Sequence, residues 1–410
     1  MYGIHQIVKD IFWITLVPGL FVACWLAGVI AYGSLKLSLL CCFIVFVILP
    51  LLFKYSVSLQ RNILFLTFVS YPRDLDFKRP DKIDLYATRN FYVEVKDNSQ
   101  AKPINLKVGV WHVLPTYVVK KFNERFHLND QALAEINNAT DISDPVLDRD
   151  ESALKAEFPY INEQNEQAFF ERMLRQPGTT IVLYLHGNTS SRGAPHRVDL
   201  YKLLRRLGYH VIAFDYRGYG DSDKVQPTEE GVILDSLAVY KYIRSLTKNP
   251  VFLWGHSLGT GVSTHLLSIL QQMNVEQQPR AVVLESPFTS IRDEIRQHPF
   301  STLFRNLPWF EHTISRPMYA NSLRFESDKH INEFRQPVLI LHAEDDIVVP
   351  FELGYRLYRI ALDNRAKSWG PVEFHRFEAT SRYGHKFLCR APDLPEIISH
   401  FFNTYRNEIY

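Results

Sequence analysis

Pro250-Val251-Phe252-Leu253-Trp254-Gly255-His256-Ser257-Leu258-Gly259-Thr260-Gly261-Val262-Ser263-Thr264 decides the fold. The first five residues are a short apolar run of the kind that fills a buried strand. Gly255 to Gly259 form a G-x-S-x-G pentapeptide, and small residues in the first turn of an expected helix follow it. Strand, sharp turn and helix are the context of a nucleophile elbow, in which a serine is exposed at the end of a strand. Larger residues at Gly255 and Gly259 would clash in so tight a turn. The helix start aims N–H groups and positive dipole at the place where an oxyanion would form. Ser257 is therefore the expected nucleophile. Its neighbour His256 is read as structural, because adjacent residues on an elbow point in different directions.

The partners of such a serine follow in the chain order acid, then histidine. Pro337 to His342 reads as another buried strand and runs into Ala343-Glu344-Asp345-Asp346-Ile347-Val348-Val349-Pro350. Asp345 and Asp346 compete for the acid role. The spacing to Pro350 favours Asp346, with Asp345 satisfying loop N–H groups. Val372 to Phe377 alternates as a strand, and His385 lies in the polar, glycine-containing loop after it. His375, inside the strand, reads as structural. His186-Gly187-Asn188 follows the strand Thr179 to Leu185, which nominates the backbone N–H groups of Asn188 and Leu258 as the oxyanion hole. His186 reads as a packed histidine beneath that loop.

These segments resemble the membrane-bound serine lipases of the α/β-hydrolase-domain family, which cleave lysophosphatidylserine and monoacylglycerols. The likeness is carried by Gly109 to His112, Tyr184 to Asn188, Phe214 to Ser222, Trp254 to Gly261, Leu284 to Thr289 and Leu341 to Asp346. It implies an α/β-hydrolase fold, a mostly parallel sheet with helices on both faces and a cap insertion, preceded by an N-terminal transmembrane anchor. It also implies a lipase acting on single-chain lipids through Ser257, Asp346 and His385. Two departures from the family pattern are Ile347 after the acid and Tyr383-Gly384-His385 around the histidine; neither touches an expected catalytic residue. A protein depalmitoylase and a catalytically silent lipid-binding protein are the alternatives.

The chain has 410 residues and a net charge of +2, which gives no footing for nucleic-acid binding. Ile11 to Gly33 is almost wholly apolar, and Leu37 to Phe53 is a second, shorter apolar run. One span, a helical hairpin, or a span plus an interfacial piece all fit. The expected division is an anchor over 1–58 and a hydrolase domain over 59–410. Within the latter, a polar acidic excursion over 129–175 reads as solvated, and a cap over 290–330 interrupts the sheet. The cap interleaves aromatic residues with arginines. Arg292, Arg296, Phe304 and Trp309 are its expected substrate contacts. Three of the four cysteines fall in the apolar runs. No Cys/His cluster has metal-ligand spacing, and hydrolysis through a serine needs no cofactor, so neither metal nor cofactor is expected.

Asp215-Tyr216-Arg217-Gly218-Tyr219-Gly220 lacks the Gly-Lys-Ser/Thr ending of a phosphate loop and reads as a tight turn with a structural Arg217. The expected partners are membrane lipids and the bilayer. The residues after the apolar region are basic, which favours a cytosolic hydrolase domain. The family likeness instead implies the endoplasmic reticulum membrane with a lumen-facing domain, and Asn138, in an N-x-T sequon, is the expected glycan acceptor.

Overall fold

Eight strands pair into one sheet in the order β1-β2-β4-β3-β5-β6-β7-β8 in the computed structural model, which describes residues 4–99, 103–126, 128–137 and 145–410. They are β1 Thr88–Asp97, β2 Ile104–Val113, β3 Ile181–Leu185, β4 His210–Phe214, β5 Val251–His256, β6 Val282–Glu285, β7 Val338–Ala343 and β8 Val372–Phe377. The β1–β2 and β2–β4 pairs are antiparallel, and every other pair is parallel. Strands β3 to β7 are buried along their whole length, which is why they read as continuous apolar runs and not as alternations. This is the α/β-hydrolase arrangement expected from the sequence. Because β3 to β8 are parallel, their carboxyl ends share one edge, and the loops after β3, β5, β7 and β8 gather there.

The chain forms two compact units. One holds residues 65–290 and 325–410, including the sheet; the other holds 1–64 and 291–324. The segment that leaves the sheet after β6 thus belongs with the N-terminal helices. In that second unit the helix Ile4–Leu26 is followed by a turn containing Gly28 and by a continuous helical stretch, Tyr32–Tyr55, whose middle widens to a π-helix over Ile44–Ile48. The first apolar run is therefore broken near its end. Two helices, Val8–Leu26 and Tyr32–Tyr55, are long and apolar enough to cross a membrane.

The acidic 129–175 stretch, expected as solvated, carries helices at Asp130–Asn137, Pro145–Glu157 and Glu166–Leu174. Ala132, Ile136, Leu154, Phe158, Phe169, Phe170 and Met173 bury their side chains with Leu114, Val118 and Phe122. The helical spacing of these residues is diluted by acidic residues on the outer faces. Glu151, for instance, pairs with Lys121 at 3.1 Å and Lys155 at 2.6 Å. Asn138 lies outside the described residues.

Arg217 is fully buried. It donates to Asp235 through its backbone N–H at 2.9 Å and through Nη2 at 2.8 Å, and it also pairs with Asp97. This turn is a structural clamp holding the β4 exit to β1 and to the helix Glu229–Leu246. Replacing one partner strands two buried carboxylates. Arg217→Met is expected to cost about 3–5 kcal/mol of stability. Thermal denaturation of the full-length protein in detergent checks this, and an unchanged Tm would show that the clamp carries no such stress.

Candidate active site

Ser257 sits between β5 and the helix Leu258–Leu270 with φ 53° and ψ −120°, a conformation rarely open to a residue with a Cβ. Several contacts hold it there. Its N–H donates to the Glu285 carbonyl at 2.9 Å, and its carbonyl accepts from the Thr260 N–H at 2.8 Å and the Thr260 hydroxyl at 2.7 Å. A Cβ at Gly259 would overlap the Leu185 carbonyl, and one at Gly255 would overlap Gly259 and Ser263. The two flanking glycines are thus required by close packing of β3, β5 and the helix.

The loop after β7 carries the expected acid. Asp346 is buried, and its Oδ2 lies 2.7 Å from His385 Nδ1. Its Oδ1 accepts the backbone N–H groups of Val348 and Val349, both at 2.9 Å. Burial disfavours its charge, but His385 and the hydrogen bonds of His342 and His385 outweigh that and hold the carboxyl below the ordinary aspartate range. Asp345 faces elsewhere: its carboxylate accepts the Gly384 N–H, at 3.0 and 3.1 Å. The two consecutive aspartates therefore grip two consecutive residues, one the backbone of Gly384 and the other the ring of His385.

His256 adds a third hold on this loop. Its Nε2–H donates to the His385 carbonyl at 2.8 Å, and the two rings lie 4.9 Å apart. Burial keeps its imidazole well below the ordinary histidine pKa, so it is neutral. Its adjacency to Ser257 places His385 beside the elbow. His375 lies in β8, 3.3 Å from Asp393.

The loop after β3 is shaped by a residue that the sequence did not mark. Arg197 is buried and donates to the carbonyls of Ser191 at 2.6 Å, Thr189 at 2.7 Å and Gly187 at 3.3 Å. These three bonds fix the carbonyl side of the loop. Gly187 passes so close to Ser257 that a Cβ there would lie 3.2 Å from the serine Cβ, which puts Asn188 beside the elbow. Leu258 opens the helix. His186, fully buried, donates from Nδ1 to the Gly187 carbonyl at 2.7 Å and accepts the Tyr216 N–H at Nε2, 3.3 Å away. Arg197 had no signal in the sequence because an arginine in an amphipathic helix reads as a solvated face.

The expected cap residues fall in the other unit. Arg292 and Arg296 both pair with Glu311, at 3.0 and 2.7 Å. Phe304 packs its ring 6.0 Å from Phe46, and the Trp309 indole N–H donates to the Phe46 carbonyl at 2.8 Å. All four make contacts within their own unit.

The alpha/beta hydrolase fold family matches residues 180–313. Lysophosphatidylserine lipase ABHD12 of Danio rerio is 37% identical over 361 residues, spanning 88% of this chain and 81% of the relative. The Rattus norvegicus protein of the same name is 37% identical over 90% of this chain and 80% of its own. Protein ABHD12B of Homo sapiens is 31% identical over 81% of this chain and 77% of its own length. Among solved structures, the Pyrococcus furiosus esterase Pf2001 shares the fold, with a TM-score of 0.50, 17% identity, and coverage of 83% of this chain and 98% of that one.

Glu285, at the end of β6, is buried and accepts the Trp254 indole N–H at 2.8 Å. Burial pushes its carboxyl up to about 7 despite that hydrogen bond, and the Asp346 charge adds to the rise. The folded state therefore keeps a proton that the unfolded chain releases near its ordinary pKa of 4.5, and stability falls as pH rises from there to about 7. Glu285→Gln keeps an acceptor for Trp254 and cannot ionise. Its Tm relative to the parent is expected to be higher at pH 8 than at pH 5. A Tm difference independent of pH would remove the titration.

Proposed function

The chain belongs to the family of α/β-hydrolase lysophosphatidylserine lipases, and we propose that it hydrolyses acyl esters of single-chain lipids through Ser257, His385 and Asp346. The observation that carries this reading is the set of holds on His385. Asp346 fixes its ring 2.7 Å away, while His256, the neighbour of Ser257, fixes its backbone 2.8 Å away. A carboxylate on Nδ1 makes Nδ1 the protonated nitrogen, so Nε2 is left as the base.

Ser257 Oγ attacks the ester carbonyl as His385 Nε2 takes its proton. The N–H groups of Leu258 and Asn188 receive the oxyanion, which Arg197 supports by fixing the loop's carbonyls. His385 then protonates the leaving alcohol, and Asp346 stabilises the imidazolium throughout. A water activated by the same histidine hydrolyses the acyl-serine. Lysophosphatidylserine and monoacylglycerol are the proposed substrates, preferred over two-chain phospholipids and triglycerides; the relatives' activity supports the lysolipid.

Ser257→Ala should abolish hydrolysis and fluorophosphonate labelling, a loss on the order of 10⁶ in kcat. Asp346→Asn, which presents the wrong histidine tautomer, should cost on the order of 10⁴. Asp345→Asn retains an acceptor for the Gly384 N–H and should be much milder. The reverse ranking of the two aspartates, measured on a monoacylglycerol, would move the acid by one residue.

We further propose that the protein resides in the endoplasmic reticulum membrane with its hydrolase domain in the lumen. Asn188 sits in the oxyanion loop, where a glycan would block chemistry, so Asn138 is the expected acceptor. Glycosidase treatment should lower the apparent mass, and Asn138→Gln should remove that shift. No shift, with the domain digested by protease outside sealed microsomes, would put the site in the cytosol and favour thioester substrates on membrane proteins.

A further inference from the structure

The second apolar helix carries polar markers at both ends. At its start the Lys36 ammonium lies 4.5 Å over the Tyr32 ring, and Tyr32 packs 5.9 Å from Trp25. At its end the Lys54 ammonium lies 5.2 Å over the Tyr55 ring. Lysine with tyrosine or tryptophan is the composition of a membrane–water interface. At ~1.5 Å per residue the two lysines are roughly 27 Å apart, close to the ~30 Å of a hydrocarbon core. Between them Leu37, Leu40, Phe43, Ile44, Leu49, Leu51 and Leu52 are exposed, while Cys42, Pro50 and Phe53 are buried within the unit.

That buried face is covered by the segment that follows β6. Phe304 and Trp309 meet Phe46, and the turn Glu311–Ser315 packs along Leu49–Tyr55. Phe46 lies in the π-helical stretch and its carbonyl takes the Trp309 indole N–H. A second tether lies near Lys54. Gln60, fully buried, donates to the Phe53 carbonyl at 2.8 Å and accepts from the Asn321 amide at 2.7 Å. Phe46 precedes Lys54 by eight residues, so the Trp309 contact is roughly 12 Å below the level of that lysine. Beside it, Phe300 is 84% exposed and Leu303 64% exposed. Arg292 and Arg296 share Glu311, which offsets their charge.

We propose that the segment Pro299–Ser315 is inserted into one leaflet of the bilayer against the second membrane helix, with Phe300 and Leu303 contacting acyl chains. The occupant of this apolar surface is phospholipid, because the surface continues a helix face of membrane-spanning length and lies between its two interface markers. In hydrocarbon a backbone carbonyl has no water to bond, which gives the Trp309-to-Phe46 hydrogen bond its role as the anchor of the segment. This rests on the lipase reading above, in which the substrate is a single-chain lipid of the bilayer.

Bimane attached at Phe300→Cys or Leu303→Cys tests the insertion. The parent is full-length protein with Cys24, Cys41, Cys42 and Cys389 replaced by alanine, folded as judged by a cooperative thermal transition matching that of the unaltered protein, in phosphatidylcholine vesicles. Lipids with a doxyl group on the acyl chain should quench both sites more strongly than aqueous iodide, and Tyr160→Cys, exposed in the other unit, should show the reverse. Iodide-dominated quenching at 300 and 303 would overturn the proposal. So would protection from both quenchers, which a second protein on this surface would give. Because the measurement needs no turnover, the same result is expected with Ser257→Ala, which keeps it separate from failure of the lipase reading. In the active protein, Phe300→Asp with Leu303→Asp should raise KM for vesicle-borne monoacylglycerol by about tenfold or more, since interfacial binding scales with buried apolar area. The kcat for a soluble short-chain ester should not change. An unchanged KM for the vesicle substrate would show that the insertion does not serve the reaction.

Discussion

Everything at the sheet's carboxyl edge depends on one unfavourable backbone conformation. Ser257 holds φ 53° and ψ −120° because its N–H and carbonyl are both committed, one to β6 and one to the helix that follows. Such conformations cost of order 1–3 kcal/mol and persist only where the surroundings over-determine them. Here β3 presses the Leu185 carbonyl against Gly259, and Gly259 and Ser263 crowd Gly255, so a relaxed elbow would have to separate strand from helix. The strain projects the serine from the sheet edge and presents the helix N-terminus to the same point.

The groups around the elbow are charged or polar yet buried, and each is satisfied by a specific partner. Asp346 keeps its charge because four groups face it: His385, His342 and the N–H groups of Val348 and Val349. Glu285, one strand away, has a single indole donor, and burial pushes its carboxyl up to about 7. Two carboxylates in one neighbourhood are thus pushed in opposite directions, and the His385 charge and the hydrogen bonds at Asp346 make the difference.

Much of this was legible in the sequence for a physical reason. Strands buried on both faces must be continuous apolar runs, and β3, β5 and β7 fell on such runs while β8 fell on an alternation. The elbow was legible because its glycines answer a local steric demand. The hold of His256 on the His385 carbonyl, 129 residues away, and the grip of Arg197 on the carbonyls of its own loop were not, because a backbone group leaves no mark on side-chain pattern; Asp345 was read as serving loop N–H groups, and its partner is the Gly384 N–H. The helices of the 129–175 stretch were missed for a different reason. Phe169, Phe170 and Met173 pack inward, but the acidic residues that solvate the outer faces dominate the composition of that window.

The N-terminal helices show a deeper limit. In a water-soluble helix the buried face is apolar and the exposed face polar, so periodicity reveals which side meets protein. A helix of membrane-spanning composition has no such contrast. Phe46 and Phe53 on the packed face and Phe43 and Leu52 on the open face are equally apolar, and the sequence offers no reason to choose between them. The choice is made by polar atoms: a backbone carbonyl at Phe46 that meets Trp309, and a buried Gln60 that bridges Phe53 to Asn321. Trp309 is 263 residues from its acceptor and Asn321 is 261 from Gln60, so no local window contains either pair. An apolar pattern alone suggests a plain anchor. The few hydrogen bonds set among the apolar side chains are what turn the second helix into a platform for the segment that follows β6.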